Sequence, residues 1–272
     1  MGLVSKKDKW RLSDSLWNEI EPLLPPRKPH PLGCHNPRVP DKNAMEAILF
    51  VLRTGCQWNS LDTTGICSCS SAYRRFREWL NADVFKKFWD QELIKYDELR
   101  GIEWSFCSMD GAITKAPLGG ELTGPNPTDR AKSGTKRSLL ADEHGIPLSI
   151  VVAGANRHDM KLTCPTLENV EVKRPEPTNE HPQGLCLDKG YDYNEVRALA
   201  KEFGFTAHIV PRGKEAQMIK KQVGYKARRW VIERSHSWLN RFRRILIRWE
   251  KRADTFLAML HLACGIITWS FL

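Results

Sequence analysis

Two aspartates in this 272-residue sequence occupy the same kind of place. Ser108-Met109-Asp110-Gly111 and Cys186-Leu187-Asp188-Lys189-Gly190-Tyr191 each run from an apolar stretch through a carboxylate into a glycine-bearing exit. Ligands of parallel sheets bind at the carboxyl ends of the strands. If these two strands are neighbours, both carboxylates reach one edge. Anions held that close repel unless a proton or a cation separates them. Mg2+, hard and oxygen-seeking, is the natural cation. A lone Asp in such a turn is ordinarily a cap or turn former, so the repeated context is what points to a metal.

A third carboxylate, Glu233, lies in Arg228-Arg229-Trp230-Val231-Ile232-Glu233-Arg234. Two readings stand. Glu233 can pair with Arg229 one helical turn earlier, or it can bring a metal to a phosphate gripped by a basic helix. Arg229, Glu233, Ser237 and Asn240 share one helical face, which leaves Trp238, Phe242 and Ile245 to face the protein. Asp129, Asp142 and Asp192 are rival carboxylates, and Asp142 is the weakest because it falls in a turn. His158 and Asp159 read either as a structural pair or as support behind the carboxylates.

The elements that would position these groups follow from periodicity. Residues 10–98 read as helical. Leu12, Leu16, Ile20 and Leu23 mark a first helix that ends at Pro25-Pro26. A second helix begins near Asp41 and stops at Gly55. Ser70-Ser71 can cap a third, with Tyr73, Phe76, Trp79 and Leu80 on one side and Arg74, Arg75 and Arg77 on the other. A fourth runs from about Asp83 to Leu99. Short helices with a basic third member fit a helix-turn-helix DNA reader, or a plain helical packing unit.

From Ile102 the pattern turns to strands, at 104–109, 136–140, 148–153, 185–187 and 205–210, with a hairpin turn at His144-Gly145. Helices are expected at 194–203, 225–249 and 254–270. The order predicts an α/β fold with a mixed five-stranded sheet and flanking helices. It divides into an all-α segment, 1–100, and a catalytic segment, 101–272.

The formal net charge is +10. Residues 212–252 hold 14 Lys and Arg against 3 Asp and Glu, while the remainder holds 28 against 29. One segment therefore carries the whole excess. It is arginine-heavy and interleaved with Trp230, Trp238, Phe242 and Trp249, as suits a folded surface that grips phosphates. Arg130-Ala131-Lys132-Ser133-Gly134-Thr135-Lys136-Arg137 is a second basic site, read as phosphate contact beside Asp110 or as a solvated hairpin entry. Lys189 is a further phosphate candidate. None of the eight cysteines forms a C-x-x-C pair, which argues against structural zinc and for a reducing, cytoplasmic setting. The uncharged stretch 256–272 is short for a membrane span and reads as a buried helix.

Read together, Gly55-Cys56-Gln57-Trp58 with Arg74-Arg75-Phe76, Met109-Asp110-Gly111-Ala112, Gly124-Pro125-Asn126-Pro127-Thr128-Asp129-Arg130, Ala155-Asn156-Arg157-His158-Asp159, Asp188-Lys189-Gly190-Tyr191-Asp192 and the run 229–244 form an ordered set. In this set the chain resembles the bacterial insertion-sequence DDE transposases of the family numbered five. The resemblance implies an RNase H-like catalytic segment after a helix-turn-helix-like one. Asp110, Asp188 and Glu233 then match the catalytic triad, holding two Mg2+ ions, with Mn2+ able to substitute. It implies cleavage of element ends and joining of the 3′-hydroxyl to target DNA. The partners would be double-stranded DNA, both inverted-repeat ends and target, with a dimer or larger assembly on it and no membrane. DNA contact is expected from Arg74, Arg75, Arg77, Arg130, Lys132, Lys136, Arg137, Lys189, Arg229, Arg234, Asn240, Arg241, Arg243 and Arg244. A nuclease without joining and a non-catalytic DNA-binding regulator remain as alternatives.

Overall fold

The computed structural model describes residues 11–26, 38–209 and 230–272. Arg229 and the start of the helix expected at 225 lie outside the described residues. Helix α1 (Asp14–Ile20) is capped by Ser13, whose hydroxyl accepts the Leu16 N–H. α2 (Asp41–Thr54) ends where Gly55 turns left-handed at φ 72°, a conformation glycine takes without strain. A Cβ at Gly55 would also stand 3.0 Å from the Arg243 backbone. α3 (Cys69–Asn81) is capped by Ser68 rather than by the expected Ser70-Ser71, because the Ser68 hydroxyl accepts the Ser71 N–H at 3.3 Å. Residues 55–68 join α2 to α3 through a 3-10 helix, in place of a tight turn. α4 spans Val84–Arg100.

The sheet holds β1 (Phe106–Lys115), a two-residue β2 (Gly124–Pro125), β3 (Ser133–Ala141), β4 (Pro147–Gly154), β5 (Gly184–Leu187) and β6 (Thr206–Ile209). Its main order is β4-β3-β1-β5-β6, with β2 pairing the first residues of β3. β3 is antiparallel to β1 and β4, whereas β5 is parallel to β1 and β6. The mixed five-stranded sheet expected from the sequence is present, with β2 as an addition. The first strand does not end at Asp110, because β3 pairs with β1 as far as Lys115.

Helices α5 (Met160–Glu168) and α6 (Asn194–Glu202) precede β5 and β6 respectively. The single helix expected over 225–249 is instead α7 (Trp230–Asn240) and α8 (Arg243–Leu246), after which Ile247 bridges Lys115. α9 (Ala253–Trp269) is buried along most of its length, as expected for 254–270. No helix among the described residues is long and apolar enough to cross a membrane. α9 packs along α4, where a Cβ on Gly265 would stand 2.6 Å from Phe88, and the Trp89 indole donates to the Pro147 carbonyl at 3.2 Å. Residue 100 marks the change from helices to strands, yet one apolar core runs across it.

Candidate active site

The parallel pairing of β1 and β5 fixes the level of the two aspartates. Ser108 pairs with Cys186, and the same register carried two residues on sets Asp110 level with Asp188. Both are half-buried. Asp110 accepts the Gly111 N–H at 2.8 Å, and Asp188 accepts the Gly190 N–H at 2.7 Å as the chain turns out of the sheet. Gly111 is required by a close approach: a Cβ there would overlap the Asp159 carboxylate. Asp159 in turn pairs with the buried Lys136 ammonium at 2.9 Å. Glycine within a strand is the sequence sign of such an approach.

On the other side of β1, α7 packs against β1 and β3. Glu233, Ser237 and Asn240 are exposed on it, while Val231, Ile232, Ser235, His236 and Leu239 are buried. The Asn240 carbonyl oxygen accepts from Arg137 of β3 at 2.6 Å. Arg137 is 2% exposed, and its Nε and Nη1 have no hydrogen-bond partner among the described residues. Burial and the Arg137 charge hold the His236 pKa down to about 3, so its ring is neutral against the Asp110 backbone. Sequence reasoning did not single out His236. Three positions after Glu233 it lies on the buried side of the helix, where an imidazole looks like any core residue.

The electrostatics of Asp110 bear on what the cluster can hold. Burial, and then repulsion from Asp188, Asp159 and Glu233, push its pKa up to about 6 despite the Gly111 hydrogen bond. Carboxylates that resist ionising together are relieved by a shared cation, and an all-oxygen donor set suits Mg2+ or Mn2+. Asp110, Asp188 and Glu233 therefore fit a divalent ion by donor chemistry. Among the described residues no three His, Cys, Asp or Glu side chains close into a ligand cage.

The expected DNA-contact residues divide sharply. Arg137 and Arg244 are buried, which corrects their assignment to phosphate contact. Arg244 pairs with Glu250 at 2.5 Å and donates to the Cys56 carbonyl at 2.9 Å. Lys136 is also internal, committed to Asp159. Both faces of β3 are covered, so neighbouring basic residues there point inward on opposite sides. Arg75 pairs with Glu78 and Asp41, and Arg77 with Asp254, leaving Arg74 as the exposed arginine of α3. Lys189 pairs with Asp192. Arg234 donates to the His144 carbonyl and stacks on Trp230 and Trp238. Arg130, Lys132, Asn240, Arg241 and Arg243 are exposed. Of the rival carboxylates, Asp142 is a turn former that accepts from His144 and Ile146 N–H groups, and Asp129 pairs with Lys115 at 3.2 Å.

Comparison with known proteins gives matches at both ends of the chain. A family model for transposases of the IS4/5 family matches residues 12–89, and a transposase DDE domain model matches residues 185–270. A Burkholderia cepacia protein assigned as the transposase of insertion sequence element IS402 is 37% identical over 153 residues, covering 55% of this chain and 70% of the relative. A second protein of that element, an uncharacterized one of 16.2 kDa, is 36% identical over 120 residues, covering 43% of this chain and 80% of the relative. Among solved structures, the Mos1 transposase catalytic domain with Raltegravir and Mg is 12% identical, at a TM-score of 0.30, over 68% of this chain and 92% of that one. A Mos1 paired-end complex with the left transposon end is 11% identical, at a TM-score of 0.27, over 81% of each chain. Likeness at that level does not define the geometry of this chain.

Proposed function

This chain belongs to the insertion-sequence transposases of the IS4/5 family, and from that premise we propose that it cuts element ends and joins the freed 3′-hydroxyl to target DNA at Asp110, Asp188 and Glu233. The observation that carries this reading is the level placement of Asp110 and Asp188 on adjacent parallel strands, beneath the helix that bears Glu233. The three carboxylates are the residues that would hold two Mg2+ ions, or Mn2+ in their place. When bound, such a pair of ions supplies an activated attacking oxygen and a stabilised leaving oxygen.

The chain's own residues do the positioning. Lys136 neutralises Asp159 and so limits the negative charge facing Asp110. Arg137 ties β3 to the end of α7 and with it the helix carrying Glu233. Exposed Arg130, Lys132, Arg241 and Arg243 hold the phosphate backbone on either side. Arg74 does the same from α3, and Arg229 is proposed for this role from its sequence position. Lys189, Arg234 and Asn240 reach DNA only by exchanging a protein partner for a phosphate. Two ends cut in concert call for at least two copies of the chain on DNA.

Incubation of the full chain with Mg2+ and duplexes ending in the element's inverted repeats tests the proposal. Cleaved ends together with joined products support it. Cleavage without joining overturns it in favour of a nuclease, and binding without cleavage in favour of a regulator.

A further inference from the structure

Far along β1 from Asp110, the structure has a cavity whose lining does not include the triad. It encloses about 530 Å3 between α3, the 3-10 helix Trp58–Thr63 and the segment that follows α8. Its walls are aromatic. Trp58 meets Tyr73 edge-on at 5.2 Å between ring centroids and Phe76 at 5.4 Å. Tyr73 and Trp249 are 41% and 40% exposed, and both line the cavity.

The rim is basic. Lys251 and Arg252 are exposed and line the cavity together with Tyr73. Asp254 pairs with both Arg252 and Arg77, Glu121 also acts on Arg252, and Arg244 of the lining pairs with Glu250.

The cavity is also held rigid. The buried Arg248 guanidinium donates to the carbonyls of Glu250 at 2.8 Å and Glu121 at 2.6 Å, and to the Thr135 hydroxyl at 3.1 Å. Those bonds fix the turn carrying Trp249 to Arg252 against the sheet. The turn is joined to the far end of β1 as well, where Arg248 N–H donates to the Lys115 carbonyl at 2.8 Å and Ile247 bridges Lys115.

We propose that this cavity takes one unstacked base of the bound DNA, stacked on Trp249 and Tyr73, with its phosphates on Lys251 and Arg252. The proposal rests on the DNA reading above. Exposed rings inside a cationic rim match a planar π-face flanked by phosphate. At roughly 3.3 Å per residue, Lys115 lies about 17 Å from Asp110 along β1. That distance is on the order of five nucleotides at 3.4 Å each, so the base received would lie that far from the scissile phosphate.

Three duplexes with the same flanks test it on the full chain: one with a single bulged 2-aminopurine, one with an abasic bulge, and one fully paired. The expected result is roughly tenfold tighter binding of the 2-aminopurine bulge than of the abasic one, with its fluorescence quenched. Trp249→Ala and Tyr73→Ala remove that preference, Trp249→Phe keeps most of it, and fully paired duplex binds all variants alike. Equal affinity for the two bulges, or a preference that survives both alanine variants, overturns the pocket while leaving DNA binding intact. Failure to bind any of the duplexes overturns the DNA reading itself, and the pocket with it.

Discussion

Arg137 donates to the Asn240 side chain at 2.6 Å, and this hydrogen bond anchors a guanidinium otherwise enclosed in the core. A charge so placed does not stabilise the fold, since burying it costs more than one neutral partner returns. Its contribution is positional, through α7. Arg137→Met is therefore expected to leave the melting temperature unchanged or higher, while slowing Mg2+-dependent cleavage by about 100-fold through a displaced Glu233. A melting temperature several degrees lower, with cleavage reduced only in proportion to the folded fraction, would assign Arg137 a purely structural part.

The three carboxylates are expected to be individually indispensable. Asp110→Asn, Asp188→Asn and Glu233→Gln should each abolish cleavage and joining with duplex affinity nearly intact. A readout independent of turnover is Mg2+-dependent thermal stabilisation, since a ligand that binds the folded state raises its stability. It should appear in the unsubstituted chain and vanish in Asp110→Asn. Normal cleavage by any of the three variants contradicts the assignment.

Gly111 leaves no room for a methyl group. Gly111→Ala pushes the Asp159 carboxylate off its place beside Lys136. Overpacking of this kind costs about 1–3 kcal/mol, and cleavage should fall as well because Asp159 loses the Lys136 charge that neutralises it. Restored cleavage in the double variant Gly111→Ala, Asp159→Ala, measured beside Asp159→Ala alone, would show that the clash is the cause.

The basic residues of the C-terminal region should separate into two behaviours. Neutralising exposed Arg241 and Arg243 is expected to weaken DNA binding and to reduce the salt slope by about one for each phosphate no longer held. Arg244→Ala instead removes the partner of buried Glu250, and a chain left with an unpaired buried charge loses about 3–5 kcal/mol. Titrating affinity against salt, alongside chemical denaturation, distinguishes them. An unchanged slope for the Arg241 and Arg243 variants would remove that face from the DNA path.

Asp142 gives the fold a pH dependence of its own. Burial pushes its pKa up to about 6, against the N–H groups of Ile146 and His144 that favour the ionised form. The native state thus keeps a proton that the unfolded chain gives up near pH 3.8. Its contribution to stability is full below that pH, falls as pH rises toward 6, and is flat above. Asp142→Asn retains the accepting oxygen without the charge. It should match the unsubstituted chain near pH 3.5 and exceed it at pH 7 by up to roughly 3 kcal/mol. Equal stability of the two at both pH values would contradict this.

Much of the scaffold was legible because single residues punctuate it. Asp41 and Gly55 bound α2, and the apolar run before Asp188 marks β5. The repeated strand-carboxylate-glycine design put Asp110 and Asp188 at one edge on the condition that their strands are neighbours, and β1 does pair with β5 in parallel. What stayed hidden depends on partners distant in sequence. Lys136 and Arg137 read as phosphate contacts or as a solvated hairpin entry because nothing local reveals that both faces of β3 are covered. The continuation of β1 to Lys115 comes from pairing with β3, and α5 was concealed by Pro165 within it. Glu233 as a third ligand came from family resemblance together with its arginine-rich setting, since its local sequence equally suits an ion pair.

The packing of α4 against α9 has a consequence for how the protein is made. α4 leaves the ribosome well before α9, so Phe88 and Trp89 wait without their cover through most of translation. A product stopped short of residue 253 never receives that cover, and its bare apolar face directs it toward aggregation or proteolysis. Chains that lack α9 are therefore expected to be scarce in the folded pool.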